Sequence, residues 1–173
     1  MIFKTIKLGA VCVDRATGLT GTPTHWVLDM DKRVEYVFQP NGLDSNGQPL
    51  DHLILGLARL DVNYSDFEEV DVPFEILGTE VTDMASGFTG MAVDFIFHIN
   101  GCFHVAIQPW GVVQRTKLPI RKCEFDLRRC RGEKIIELSE AELAESIEKE
   151  SSSTGNSLSS KSQTFVGIKR MLR

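Results

Sequence analysis

Residues 8–40 read LGAVCVDRATGLTGTPTHWVLDMDKRVEYVFQP, and residues 77–109 read LGTEVTDMASGFTGMAVDFIFHINGCFHVAIQP. The second stretch rewrites the first at a constant offset of 69. Both open on Leu-Gly, carry Asp14/Asp83 and Ala16/Ala85, and then run Thr/Ser-Gly-x-Thr-Gly at 17–21 and 86–90. Gln39-Pro40-x-Gly42 matches Gln108-Pro109-x-Gly111. Repetition has to be settled first, because a repeat decides the architecture. Two copies make a duplicated domain and not a solenoid.

Working outward, residues 2–13 alternate enough for a strand, with Gly9 at a bulge or bend. Residues 14–21 are turn chemistry, which gives Gly18, Gly21, Gly87 and Gly90 structural turn roles. Thr24 to Leu28 resumes a strand, 29–32 turns it, and Val34 to Gln39 runs back. In the second copy the matching turn is Ile99-Asn100-Gly101, and Asn-Gly is the strongest short hairpin signal. Pro40 and Pro109 stop their strands, since proline cannot donate to a ladder. Beyond a polar loop at 41–51, residues 53–62 align with 123–131 after a one-residue gap. Leu57, Arg59 and Leu60 then fall on Leu127, Arg129 and Cys130. Short strands with tight turns predict a small, bent antiparallel barrel for each copy.

The copies are joined by an acidic connector, 63–76, whose last part (69–76) reads as a strand equivalent to 1–6. A capping box, Ser139 with Glu142, predicts a helix over 137–150 with Leu143 and Ile147 on one face. Residues 151–163 are a serine-rich spacer. The final TFVGIKRMLR puts Phe165, Ile168 and Leu172 on one helical face beside Lys169 and Arg170, the composition of a docking tail at 151–173.

The charge is unevenly spread. Net charge is −5, yet Lys161, Lys169, Arg170 and Arg173 face no acid after Gly155. The first 154 residues therefore hold 15 basic and 24 acidic side chains, a net −9. Such a body argues against broad contact with nucleic-acid phosphates, and a basic tail suits a neighbour of the same kind. No apolar run approaches the roughly 18 residues that a membrane helix needs. Cys12, Cys102, Cys123 and Cys130 lack C-x-x-C spacing and read as reduced thiols, with a Cys123–Cys130 bridge across a turn as the alternative.

Signatures of catalysis are missing: there is no G-x-x-x-x-G-K-[ST] loop, no G-x-S-x-G and no H-E-x-x-H. His98 and His104 flank the second hairpin turn near Cys102, a grouping that could reach one metal. The first copy holds Asp29, Arg33 and Glu35 at those positions, so the histidines read as hairpin surface residues. His25 and His52 show no partner in the sequence. Trp26/Phe95 and Leu28/Phe97 match between copies at alternate positions and read as core. Trp110, after Pro109, is the aromatic expected to be exposed. The reading assigns no catalytic residue, metal or cofactor.

The second copy, with Asp83, Ser86-Gly87-Phe88-Thr89-Gly90, Asn100-Gly101-Cys102 and Gln108-Pro109, resembles small uncharacterised tailed-bacteriophage β-barrel proteins with a D-x-x-[TS]-G-F-x-G, N-G-C and Q-P pattern. The first copy departs at Leu19 and at Asp31-Lys32-Arg33. The glycine-bearing strand before a Gly-rich turn is also similar to the opening of KOW/SH3-like barrels. The resemblance covers roughly residues 3–131. With the helix and tail read above, the expectation is a mainly β chain: two tandem SH3-like small antiparallel barrels (1–62 and 63–136), then a short C-terminal helix (137–150) and tail. The duplicated scaffold and the tail's charge contrast, beside that resemblance, lead to the expectation of a non-enzymatic virion component of the capsid-decoration or connector kind, assembled in the host cytoplasm. Its partners would be other phage structural proteins and a second copy of itself, with no membrane. The alternative is a phage regulator or anti-defence protein that binds a host protein, nucleic acid or small ligand.

Overall fold

A computed structural model describes residues 1–152. The chain is mainly β, with antiparallel sheets and one C-terminal helix. In the first copy the strands are β1 (Ile2–Ile6), β2 (Cys12–Asp14), β3 (Thr20–Asp29), β4 (Val34–Pro40), β5 (Leu53–Gly56) and β6 (Leu60–Asp61). After the connector strand β7 (Phe67–Asp71), the second copy supplies β8 (Glu80–Asp83), β9 (Thr89–His98), β10 (Phe103–Gln108), β11 (Cys123–Asp126) and β12 (Cys130–Arg131). Helix α1 spans Glu133–Ser152.

Both copies use one connectivity. β2 pairs β3, β3 pairs β4, β4 pairs β5, and β6 returns to β2. The second copy repeats this with β8–β9, β9–β10, β10–β11 and β12–β8. In both, a short 3-10 turn (Leu57–Arg59 or Leu127–Arg129) precedes the last strand.

Two free-standing barrels are not what the pairings give, because the copies share one ten-stranded sheet. β3 pairs antiparallel with β9, from His25↔His98 through Val27↔Ile96 to Asp29↔Asp94. At the offset of 69, Asp94 is the equivalent of His25 and His98 of Asp29, so the two end pairs exchange under a pseudo-two-fold axis at Val27 and Ile96. β1 also pairs with β7, Ile2↔Asp71 to Ile6↔Phe67, but only its first rung joins equivalent positions, because residues 72–75, which would match the rest of β1, leave the strand.

Side chains alternate across a strand. Trp26 and Leu28 of β3 and Phe95 of β9 therefore enter a core that also holds Tyr36, Phe38, Val105 and Ile107. That core draws on both copies without a break. A lone repeat would bury only about 60% of its unfolded surface, so sharing one interior is the economical solution. Tyr36 ties β1 onto the sheet: its hydroxyl lies 2.9 Å from Thr5 Oγ1 and accepts from the Ile6 N–H at 3.2 Å.

Three boundaries differ from the sequence reading. The strand expected over 2–13 is interrupted at Gly9, whose φ of 91° breaks the ladder between β1 and β2. The strand expected over 69–76 runs instead from Phe67 to Asp71. Pro73 cannot continue the ladder, and the chain makes a 3-10 turn at Phe74–Ile76. The helix starts six residues before Ser139, which is therefore no N-cap; its Oγ donates to the Ile135 carbonyl at 2.9 Å. Ile135 and Leu138 pack against the core, and this tertiary anchor sets the helix start.

The paired Thr-Gly and Gln-Pro motifs have one shared cause. Gly21 pairs with Pro40, and a Cβ on Gly21 would sit 2.3 Å from the Gln39 carbonyl oxygen. On Gly90 it would sit 2.2 Å from that of Gln108. Only a hydrogen fits, so Gly21 and Gly90 stand inside β3 and β9 and not in the turns expected of them, because the neighbouring carbonyl leaves no room for a side chain. Gly21→Ala and Gly90→Ala should each cost about 1–3 kcal/mol, seen as a fall in Tm of about 2–4 °C per kcal/mol for a domain of this size. Gly56→Ala is the control: φ is −74° with nothing within 4 Å, and its stability should stay within about 0.5 kcal/mol of the parent.

Candidate functional site

Asp14 and Asp83 are the most deeply placed acids, and each holds a turn together. Arg59 donates Nε–H and Nη2–H to the two Asp14 oxygens at 3.0 and 2.5 Å, while the Thr17 hydroxyl donates at 2.6 Å. Arg129 does the same for Asp83 at 3.0 and 2.9 Å, with the Ser86 hydroxyl at 2.6 Å. The backbone repeats too, with Gly18 N–H donating to the Asp14 carbonyl and Gly87 N–H to that of Asp83. Gly18 and Gly87 have φ of 75° and 73°, the left-handed turn positions expected of them. Arg59, with Thr17 and the Ala16 N–H, pulls the Asp14 carboxyl down to about 2 against the cost of burial. Ser86, together with Arg129, lowers Asp83. Every oxygen is committed to a partner, so these carboxylates lock turns and are not poised for proton transfer.

The loops between β4 and β5 (41–52) and between β10 and β11 (109–122) hang from equivalent anchors. Gln39 Nε2–H donates to the Leu50 carbonyl at 2.7 Å, and Gln108 Nε2–H to that of Ile120 at 2.5 Å. Isolated bridges Leu43↔Pro49 and Val112↔Pro119 close both loops. Their surfaces differ. The first is mostly polar, carrying Asp44 and Asp51, with Leu43 exposed (66%). The second exposes Trp110 (60%), Val112, Val113 and Leu118 (63%), with Arg115, Lys117, Arg121 and Lys122 among them. Trp110 is thus exposed, as expected.

A third feature lies on the sheet face opposite the core. His25 and His98 stack with ring centroids 4.9 Å apart, and His98 and His104 at 4.5 Å. The sequence shows no partner for His25. Its neighbour comes from the other copy through the β3–β9 register, which no local pattern announces. The symmetry-related positions hold Asp94, Asp29 and Glu35, so the two ends of this face have opposite chemistry. Among the described residues no three of His, Cys, Asp and Glu are grouped to hold a metal ion. Burial pushes the His25 pKa down; Glu124 opposes this, while His52 and His104 add to it. Burial also lowers His98, helped by His104 and His25 and opposed by Glu124, and its Nε2 is buried without a hydrogen-bond partner.

At the acidic end, an open hollow of about 560 Å³ lies between the Asp29–Asp31 turn and the base of the 109–122 loop. Lys122 pairs there with Asp94. Asp29 serves its own turn, accepting from the Arg33 N–H at 2.8 Å. All four cysteines are free, so the Cys123–Cys130 alternative does not hold; burial pushes the Cys130 thiol up to about 12. No described helix is long and apolar enough to cross a membrane. The tail residues Phe165, Ile168, Lys169, Arg170 and Leu172 lie outside the described residues. No family model, curated protein or solved structure matches the chain.

Two pH limbs follow. His25 and His98 titrate below 6.5 when folded, so the folded chain binds fewer protons than the unfolded one. Their contribution to stability is whole above about pH 6.5 and declines as the pH falls below it. Thermal melts from pH 8 to 5 should show this slope, and H25Q/H98Q should flatten it. Asp14 contributes stability above its unfolded value near 3.8 and loses it as the pH falls towards about 2. Asp14→Asn should shrink that acid limb while lowering stability at neutral pH.

Proposed function

We propose that this chain is a non-enzymatic component of a bacteriophage particle, a capsid-decoration or connector protein. It binds its neighbours through surfaces of the duplicated sheet and through its C-terminal segment. The observation that carries this reading is the contrast between the equivalent loops. The scaffold needs the Gln-Pro anchor and the bridge, and both loops have them; it does not need an exposed Trp110 flanked by valines and cations, which only one has. An exposed aromatic with apolar and basic neighbours on a rigid support suits protein association. The shared acids and Gly18 and Gly87 are occupied in turns, and Gly21 and Gly90 in close strand contacts, which supports a structural role over a catalytic one.

A regulator or anti-defence protein is the second reading, and the same loop favours it: an exposed tryptophan beside cations can stack on a base while the cations meet phosphates. Against it stands the acidic body.

Mass spectrometry of purified virions against infected-cell lysate separates the two. The particle reading expects the chain in virions at a level comparable with other structural proteins, and deletion of residues 151–173 should reduce its incorporation. Finding it in lysate alone, with nucleic acid or a host protein co-purifying, would sink the particle reading.

A further inference from the structure

The duplication supplies its own control for the 109–122 loop. Whatever the shared scaffold requires should stand in both loops, and what only one carries is free for another task. The hydrogen bonds are kept: Asp44 N–H to the Gln48 carbonyl corresponds to Val113 N–H to that of Leu118, both near 2.8 Å. The surface is not. Asn41 gives way to Trp110 and Asp44 to Val113, and after one inserted residue Gly47 gives way to Lys117. Gly47 has φ 76° and Lys117 φ 59°. Glycine adopts that left-handed conformation without steric cost and lysine does not. The β3–β4 turn makes the converse exchange, with Lys32 at φ 64° where the second copy has Gly101, so the conformation by itself does not single out Lys117 and the charge it adds carries the weight.

Charge narrows the partner. From Trp110 to Lys122 there are four cations and no acid. With those four set aside, the rest of residues 1–154 carries 11 basic and 24 acidic side chains. Lys122 is turned to Asp94, while Arg115, Lys117 and Arg121 have no ion pair among the described residues. The same scaffold presents Asp44 and Asp51 on the equivalent loop, with no Lys or Arg beside them. We infer that the 109–122 loop docks on the acidic surface of a second copy of this chain, burying Trp110 and its apolar neighbours while its cations meet carboxylates. Donor and receiving surfaces are different patches, so the contact is heterologous: it closes into a ring if the rotation allows and otherwise propagates. This deepens the reading of the chain as an assembling component and rests on it.

Sedimentation of the full chain over a range of concentrations, at low and high salt, tests the inference. The parent should form species larger than a monomer at low salt and shift towards monomer as salt screens the contact. R115E/K117E/R121E and W110S should each weaken association roughly tenfold or more. Lys117→Gly gives the loop the residue its counterpart already uses, so it should fold at least as well as the parent while associating less. A parent that stays monomeric at every concentration overturns the inference, as does association indifferent to all three variants. So does a monomer whose loop captures anionic vesicles or an oligonucleotide instead. A chain present in virions but monomeric in solution defeats this inference alone. One that self-associates through the loop but is absent from virions defeats the particle reading alone.

Discussion

The backbone ladder between β3 and β9 is the constraint on which the rest of the molecule depends. Each strand is ten residues long and serves two purposes. One end bonds within its own copy, to β2 or β8, and the other bonds across the axis. Alternation along the shared stretch sends Trp26, Leu28 and Phe95 into a common core and leaves His25, Asp94 and His98 on the opposite face. A slip of one residue would exchange those faces. Register, core and outer face are therefore fixed together.

Around that seam the halves keep what folding requires and differ elsewhere. The Asp–Arg turns match in the hydroxyl and the guanidinium N–H groups that reach the carboxylate, and the close approach of glycine to the Gln carbonyl recurs within 0.1 Å, 2.3 against 2.2 Å. The outer sheet face and the β10–β11 loop have diverged. His25, His98 and His104 stand against Asp94, Asp29 and Glu35, and an apolar, basic loop stands against a polar, acidic one. In a duplicated chain such asymmetry identifies surface released from the demands of folding, and there a binding function can be sought. Much of the charge arrangement follows from this. The buried carboxylates are neutralised locally by Arg59 and Arg129, while the 109–122 loop carries four cations and no acid.

Considerable parts of both fold and surface were legible in the residues. The offset of 69 puts Trp26 on Phe95, the one-residue gap puts Arg59 on Arg129, and those pairs share structural roles. Trp110 followed a strand-ending proline and stands exposed. The helix start was missed because Ser139 carries the residues of a cap. Ile135 and Leu138 instead gain burial against the sheet, and that gain outweighs a local capping preference. The connector strand ends at Asp71 because Pro73 cannot donate, a local signal that outweighs the alternating Val70, Val72 and Phe74.

By itself, the sequence determined the duplication, the β class, the turns and the exposed aromatic, because each is written in local chemistry: glycine where φ is positive, proline where a ladder ends, side chains that cap their own backbone. Only the tertiary structure decided that the copies merge into one sheet and that His25 meets His98 across 73 positions. The reason is physical. Two unpaired strand edges can be satisfied by water, by another chain or by each other, and which of these happens depends on how much apolar surface the union buries. That quantity belongs to the assembled core and to no single segment.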